Sequence, residues 1–127
     1  RNFAATPNTS VHTVVDLRPE RLAVVSRSYP NIKVTSEIDS IWTNDEIDAV
    51  IIATPVFTHF DLAKKALLAG KHVLLEKPMT DTVAHAEELI VLANEHGRVL
   101  MVDHTFLYTS AVQKMKSLIV KLLMNLL

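Results

Sequence analysis

Three observations predict an α/β fold, a doubly wound parallel sheet. Short β-branched runs alternate with longer amphipathic stretches along the chain. One run, Ala49-Val50-Ile51-Ile52-Ala53, is apolar throughout, the pattern of a parallel strand covered on both faces. Polar or charged residues directly follow the apolar runs at Asp16, Thr54-Pro55, Glu76-Lys77-Pro78 and Asp103-His104, and a doubly wound sheet binds ligands at the carboxyl ends of its strands.

The elements follow in order. Val11 to Val15 reads as a strand. A helix begins after Asp16 with Pro19 in its first turn, where a missing N–H costs nothing, and ends before Tyr29-Pro30. Ile32 to Thr35 is a short strand, and Asp39-Ser40-Ile41-Trp42 a helical turn or two. Asp45 to Asp48 leads into the 49–53 run, which is placed at the sheet centre and ended by Thr54-Pro55. Thr58 or a near neighbour caps a helix through Leu62, Ala63, Ala66, Leu67 and Leu68 that stops at Gly70. His72 to Leu75 is the next strand. Pro78 breaks the chain, and Thr80 or Asp81 caps a helix whose apolar face is Val83, Ala86, Leu89, Ile90 and Ala93, ending at Gly97. Val99 to Val102 is the last clear strand. Tyr108 through Leu118 has helical spacing, and Leu122 to Leu127 is apolar nearly all round.

At 127 residues, with 49% hydrophobic and 21% charged, the chain can build one core. The absence of cysteine excludes disulfide scaffolds, thiolate zinc sites and a cysteine nucleophile. Thirteen Lys and Arg against 14 Asp and Glu give a net charge of −1, which supplies no field to hold nucleic acid. The apolar stretch Leu118 to Leu127 contains Lys121 and Asn125 and is about half the ~20 residues that cross a bilayer. With no basic-then-apolar leader in the sequence given, a cytoplasmic protein without a membrane partner is expected. His12, His72, His85 and His96 share no ligand spacing, so no metal site is expected. Trp42 reads as packing, and Lys64-Lys65 and Lys114/Lys116 as solvated helix faces.

Two residues carry chemistry as well as bland alternatives. Asp16, at the end of an early strand, can accept hydrogen bonds from both hydroxyls of an adenosine ribose and repel a 2′-phosphate, or it can cap the following helix. Lys77, between Glu76 and Pro78 after an apolar strand, can assist a substrate hydroxyl as an ammonium donor, or it can be half of a solvated loop pair.

The order of the pieces adds a resemblance. Val15-Asp16-Leu17-Arg18, Ile52-Ala53-Thr54-Pro55 with His59 four residues on, Gly70-Lys71-His72-Val73-Leu74-Leu75-Glu76-Lys77-Pro78 and Val102-Asp103-His104-Thr105-Phe106 follow one another along the chain. Together they resemble the nucleotide-binding, Rossmann-like half of the glucose–fructose oxidoreductase and inositol dehydrogenase (Gfo/Idh/MocA-like) family, from about Val11 to Lys116. The resemblance implies that Asp16 binds the adenosine ribose, with Arg18 beside it easing the repulsion of a 2′-phosphate. It implies that Ala53, Thr54 and Pro55 line the dinucleotide cleft, that His59 lies beside the cofactor and that Glu76 contacts the nicotinamide-ribose side. Lys77 then approaches the reacting hydroxyl or carbonyl of a sugar-like substrate as the catalytic residue, and His104 stands at the rim near substrate. The cofactor implied is NAD, with NADP disfavoured by Asp16. The Thr-Phe-Leu-Tyr stretch after His104 looks like the branch acting on sugar nucleotides.

Relatives in that family begin with a strand and a Gly-x-Gly-x-x-Gly turn whose amides approach the pyrophosphate, and they continue into a second α/β domain. Neither matches this sequence, whose only glycines, Gly70 and Gly97, read as helix stops. The expectation is therefore a partial dinucleotide-binding domain over residues 1–120, an atypical apolar tail over 121–127, weak or absent cofactor binding and no activity for the chain alone. In the usual doubly wound order the unmatched first strand lies between the strands ending at Asp16 and Ala53, so two buried edges need something to close them. Open edges and the apolar tail predict a homo-oligomer. The competing reading is a standalone α/β binding or dimerisation module without catalysis.

Overall fold

The computed structural model describes residues Asn2 to Met124. The elements are α1 (Asn2–Ala5), β1 (Thr13–Val15), α2 (Pro19–Ser28), β2 (Lys33–Thr35), α3 (Asp39–Trp42), β3 (Ala49–Ile52), α4 (His59–Leu68), β4 (His72–Leu75), α5 (Val83–Glu95), β5 (Leu100–Val102) and α6 (Ser110–Met124). Single 3-10 turns at Val56–Thr58 and Thr105–Tyr108 precede α4 and α6. The alternating strands and helices make the fold α/β and Rossmann-like, with every described strand pair parallel.

The strands form two sheets, β1-β2 and β3-β4-β5. The split falls between the strands ending near Asp16 and Ala53, where the sequence locates the open edges. No described strand fills it. At its amino end the sheets are bridged by His12 Nε2 and Glu46 Oε2, 3.1 Å apart, but Glu46 is well exposed and such a pair contributes little.

The core lies on one face of β3-β4-β5. Ile52, Val73 and Leu75 meet Ala63, Ala66 and Leu67 of α4 and Leu89 and Ala93 of α5. The three alanines bring the helices close to the sheet and to one another. Leu67, Leu75 and Leu89 are fully buried, sites where truncation to alanine costs about 2–5 kcal/mol. The expectation that the 49–53 run is covered on both faces is corrected. Ile51 is 50% exposed and Met101 42%, and they are in register with Leu74 between them, forming an apolar row across three strands. The cause is the distribution of helices: α4 and α5 pack on the core face, α2 packs on β1 and β2, and α6 packs on the Thr105–Tyr108 turn.

Both glycines stop helices by the same device. Gly70 (φ 72°) and Gly97 (φ 60°) take the left-handed conformation that lets the chain reverse. Lys71 N and Gly70 N then bond Ala66 O and Leu67 O at 2.9 Å, and Arg98 N and Gly97 N bond Ala93 O (2.8 Å) and Asn94 O (3.1 Å). Each is a Schellman closure. The cap expectations shift, however. Thr82, rather than Thr80 or Asp81, caps α5, its hydroxyl accepting from His85 N at 3.2 Å. Asp81 instead receives His85 Nδ1 at 2.9 Å. Thr58 precedes α4 without capping it, because its hydroxyl bonds back to Pro55 O at 2.7 Å. α6 runs unbroken across position 120, so the boundary placed there falls within a helix. Asn125-Leu126-Leu127 of the tail lie outside the described residues.

Candidate functional site

The carboxyl ends of β3, β4 and β5 are brought level by two backbone hydrogen bonds beyond the strands. Glu76 N donates to Ile52 O at 2.9 Å and Asp103 N to Leu75 O at 2.8 Å. These rungs set Ala53-Thr54-Pro55, Glu76-Lys77-Pro78 and Asp103-His104 side by side, as the topology rule requires. Between the last two lies a hollow of about 350 Å³. Lys77, Asp103, His104 and Thr105 line it, and Phe106, Leu107 and Val112 form its apolar wall. Lys77 and His104, assigned separately from the sequence, thus share one hollow. Asp103 was named among the strand-end residues but given no role, and Thr105 was not singled out as a site residue.

The turn that presents Lys77 is closed locally: Glu76 Oε2 accepts from Lys77 N at 3.0 Å, and the Lys77-Pro78 peptide is cis. On the β3 side, Thr58 N donates to Pro55 O at 2.9 Å and the Thr54 and Thr58 hydroxyls meet at 2.7 Å, leaving Ala53, Thr54 and Pro55 exposed. His59 is different. Its ring is 1% exposed, with Nε2 2.8 Å from Thr54 O and Nδ1 3.0 Å from Pro78 O. Both nitrogens are engaged with protein carbonyls, so any part it takes at the cleft is exerted through the loops it joins.

Asp16 stands at the end of β1, in the other sheet, its N–H bonded to Thr35 O at 3.3 Å. Arg18 occupies its carboxylate: Arg18 N and Nε donate to Oδ1 at 2.9 and 3.0 Å, and Nη2 donates to Oδ2 at 3.0 Å. These bonds, the side-chain ones first, hold the Asp16 carboxyl down at about 2, and Asp16 in turn raises the Arg18 guanidinium. The cap reading of Asp16 is corrected: the N-cap of α2 is Arg18, which makes no side-chain cap bond, and Asp16 Oδ1 instead closes the turn before the helix by accepting from Arg18 N.

A second hollow of about 410 Å³, lined by His12, Lys33, Ser40 and Asn44 among others, lies against β1, β2 and α3 and contains none of the expected site residues. Among the described residues no group of three His, Asp or Glu side chains is placed to hold a metal, and no helix is long and apolar enough to cross a membrane.

The fold agrees with comparison to known proteins. The family model described as "Oxidoreductase family, NAD-binding Rossmann fold" matches residues 1–104. The chain belongs to the Gfo/Idh/MocA oxidoreductase family. This Gfo/Idh/MocA chain is 42% identical over 108 residues to the uncharacterized oxidoreductase YdgJ of Escherichia coli K12, covering 79% of the chain and 31% of that protein. It is 34% identical over 117 residues to a dTDP-3,4-didehydro-2,6-dideoxy-alpha-D-glucose 3-reductase of Streptomyces violaceoruber, covering 92% of the chain and 34% of that enzyme. The crystal structure of KijD10, a 3-ketoreductase from Actinomadura kijaniata in complex with NADP and TDP-benzene, superposes with a TM-score of 0.84 at 28% identity, covering 94% of the chain and 36% of KijD10. The Gfo/Idh/MocA chain thus spans about a third of the length of these relatives.

Proposed function

We propose that this chain is the nucleotide-binding part of an NAD(P)-dependent oxidoreductase that moves hydride between nicotinamide and a sugar-like alcohol, a nucleotide sugar among the candidates. The observation that carries the reading is Lys77 at the end of β4, opening with Asp103 and His104 onto one hollow beside the cleft loops. The residues suit the two ends of a dinucleotide. Asp16 offers a carboxylate to the adenosine ribose, Ala53, Thr54 and Pro55 line the dinucleotide cleft, and Glu76 contacts the nicotinamide-ribose side. Both glycines are used to close helices, so neither serves the pyrophosphate, and the chain by itself is proposed to bind NAD(P) weakly and to be inactive. When bound, a nicotinamide supplies the two-electron acceptor or donor. Lys77 then hydrogen-bonds the substrate oxygen and takes or returns its proton, while His104 orients the sugar from the rim. NAD is proposed over NADP because Asp16 is anionic, although Arg18 lies across that charge.

The test is the complete protein carrying this domain. Lys77→Ala should lower turnover by about 10²–10⁴-fold, the usual general acid–base contribution, with cofactor affinity nearly intact. Turnover within a few-fold of wild type refutes the role. Running the assays with NAD and NADP, and with Asp16→Ala, tests the preference: NADP favoured both before and after the substitution removes Asp16 as its determinant. A second reading, a non-catalytic interaction module, draws support from the exposed apolar residues Met115, Ile119 and Leu122 on α6.

A further inference from the structure

His59 is a polar ring placed where an apolar one would fill the space more cheaply. Burying a polar group is unfavourable unless it is hydrogen-bonded. Both of its nitrogens face backbone carbonyl oxygens, Thr54 O at 2.8 Å and Pro78 O at 3.0 Å. Carbonyl oxygens only accept, so bonding both requires a hydrogen on each nitrogen, the doubly protonated ring, whereas a neutral ring with its single N–H bonds only one of the two. The two acceptors belong to opposite sides of the cleft: Thr54 ends β3, and Pro78 follows Lys77. The last backbone rung between these segments is Glu76 N to Ile52 O. Beyond it, among the described residues, only the imidazole lies within hydrogen-bond distance of both loops, and with both nitrogens protonated it donates to each.

We infer that His59 is a positioning residue, an imidazole clamp that fixes the separation between the Thr54–Thr58 loop and the Lys77-Pro78 turn and so holds Lys77 in place for chemistry. Its functional meaning rests on the cleft reading above. His59 is the first residue of α4, following the 3-10 turn, and the same helix buries Ala63, Ala66 and Leu67 in the core.

Amide hydrogen exchange on the labelled chain tests the clamp without any ligand. Thr58 N–H, bonded to Pro55 O, reports the first loop, and Lys77 N–H, bonded to Glu76 Oε2, reports the second. In His59→Leu both should exchange faster together, by about tenfold, the effect of losing one net hydrogen bond. Val73 N–H, inside the sheet, should keep its rate. His59→Gln retains an N–H donor and should restore at least one of the two reporters to within about threefold of wild type. Acceleration at Thr58 without any at Lys77, no change at either, or no rescue by glutamine overturns the clamp. If His59→Leu does not fold, the wild-type ring decides: Nδ1–H and Nε2–H both present and protected from water support the clamp, and a single ring hydrogen or free exchange of either overturns it. Titrating NADH and NADPH into the complete protein carrying this domain tests the cofactor reading separately, because coupled loops in the chain with no binding by the complete protein would defeat that reading and leave the clamp standing.

Discussion

Asp16 shows how one contact alters the meaning of a residue. As an isolated strand-end carboxylate it would present full charge to a ribose. In the structure Arg18 holds both of its oxygens. The lowering to about 2 should be visible by NMR as a titration well below the ordinary 3.8, and Arg18→Ala should raise it part of the way, since the backbone N–H of residue 18 still donates to Asp16. A titration midpoint near 3.8 in the wild type would show that the fork does not persist in solution. Because the folded-state value is depressed, any stability this pair contributes is present above about 3.8 and is lost as pH falls toward about 2. The pair is exposed enough that the contribution is small. Asp81, also lowered, by its hydrogen bond from His85, acts in the same direction at the start of α5.

For single elements, strands and helix interiors were legible because their signals are local. Period, β-branching and the two glycines placed β1 to β5, α2, α4 and α5 to within a residue or two at most ends. Caps were less legible, since Thr80, Asp81 and Thr82 are all competent and only the path of the chain after Pro78 selects among them. Thr82 is extended (φ −134°, ψ 151°), the geometry an N-cap needs. Thr82→Ala should cost about 1 kcal/mol, read as a lower urea midpoint at unchanged slope. An unchanged midpoint would show that the hydroxyl contributes nothing to α5. The short helix α1 and the two 3-10 turns were not foreseen, as pieces of three or four residues carry too little periodicity to register.

Across the whole molecule, the apolar surface left outside the core dominates. The Ile51-Leu74-Met101 row lies on an open sheet face, and Met115, Ile119 and Leu122 are exposed along α6. Exposed apolar area of this kind and open strand edges favour association. Sedimentation velocity at micromolar concentration should find the chain self-associated, and Ile119→Lys with Leu122→Lys should shift it toward monomer. A monomeric wild type would overturn the expectation. An unshifted double variant would assign the contact to the sheet instead.

The sequence by itself determined the α/β alternation, the family and the set of strand-end residues, because all three are written in local order: apolar runs, helix stops and the Gly70 to Pro78 motif. It also located the break in the sheet, from the strand it could not match. The tertiary structure decided what depends on partners distant along the chain. It uncovered one face of β3, since no described helix packs there. It gathered Lys77, Asp103 and His104 around one hollow through the rungs at Ile52 and Leu75. It also turned His59 inward onto Thr54 and Pro78, because a histidine and a carbonyl 19 residues apart meet only when α4 packs beneath the sheet.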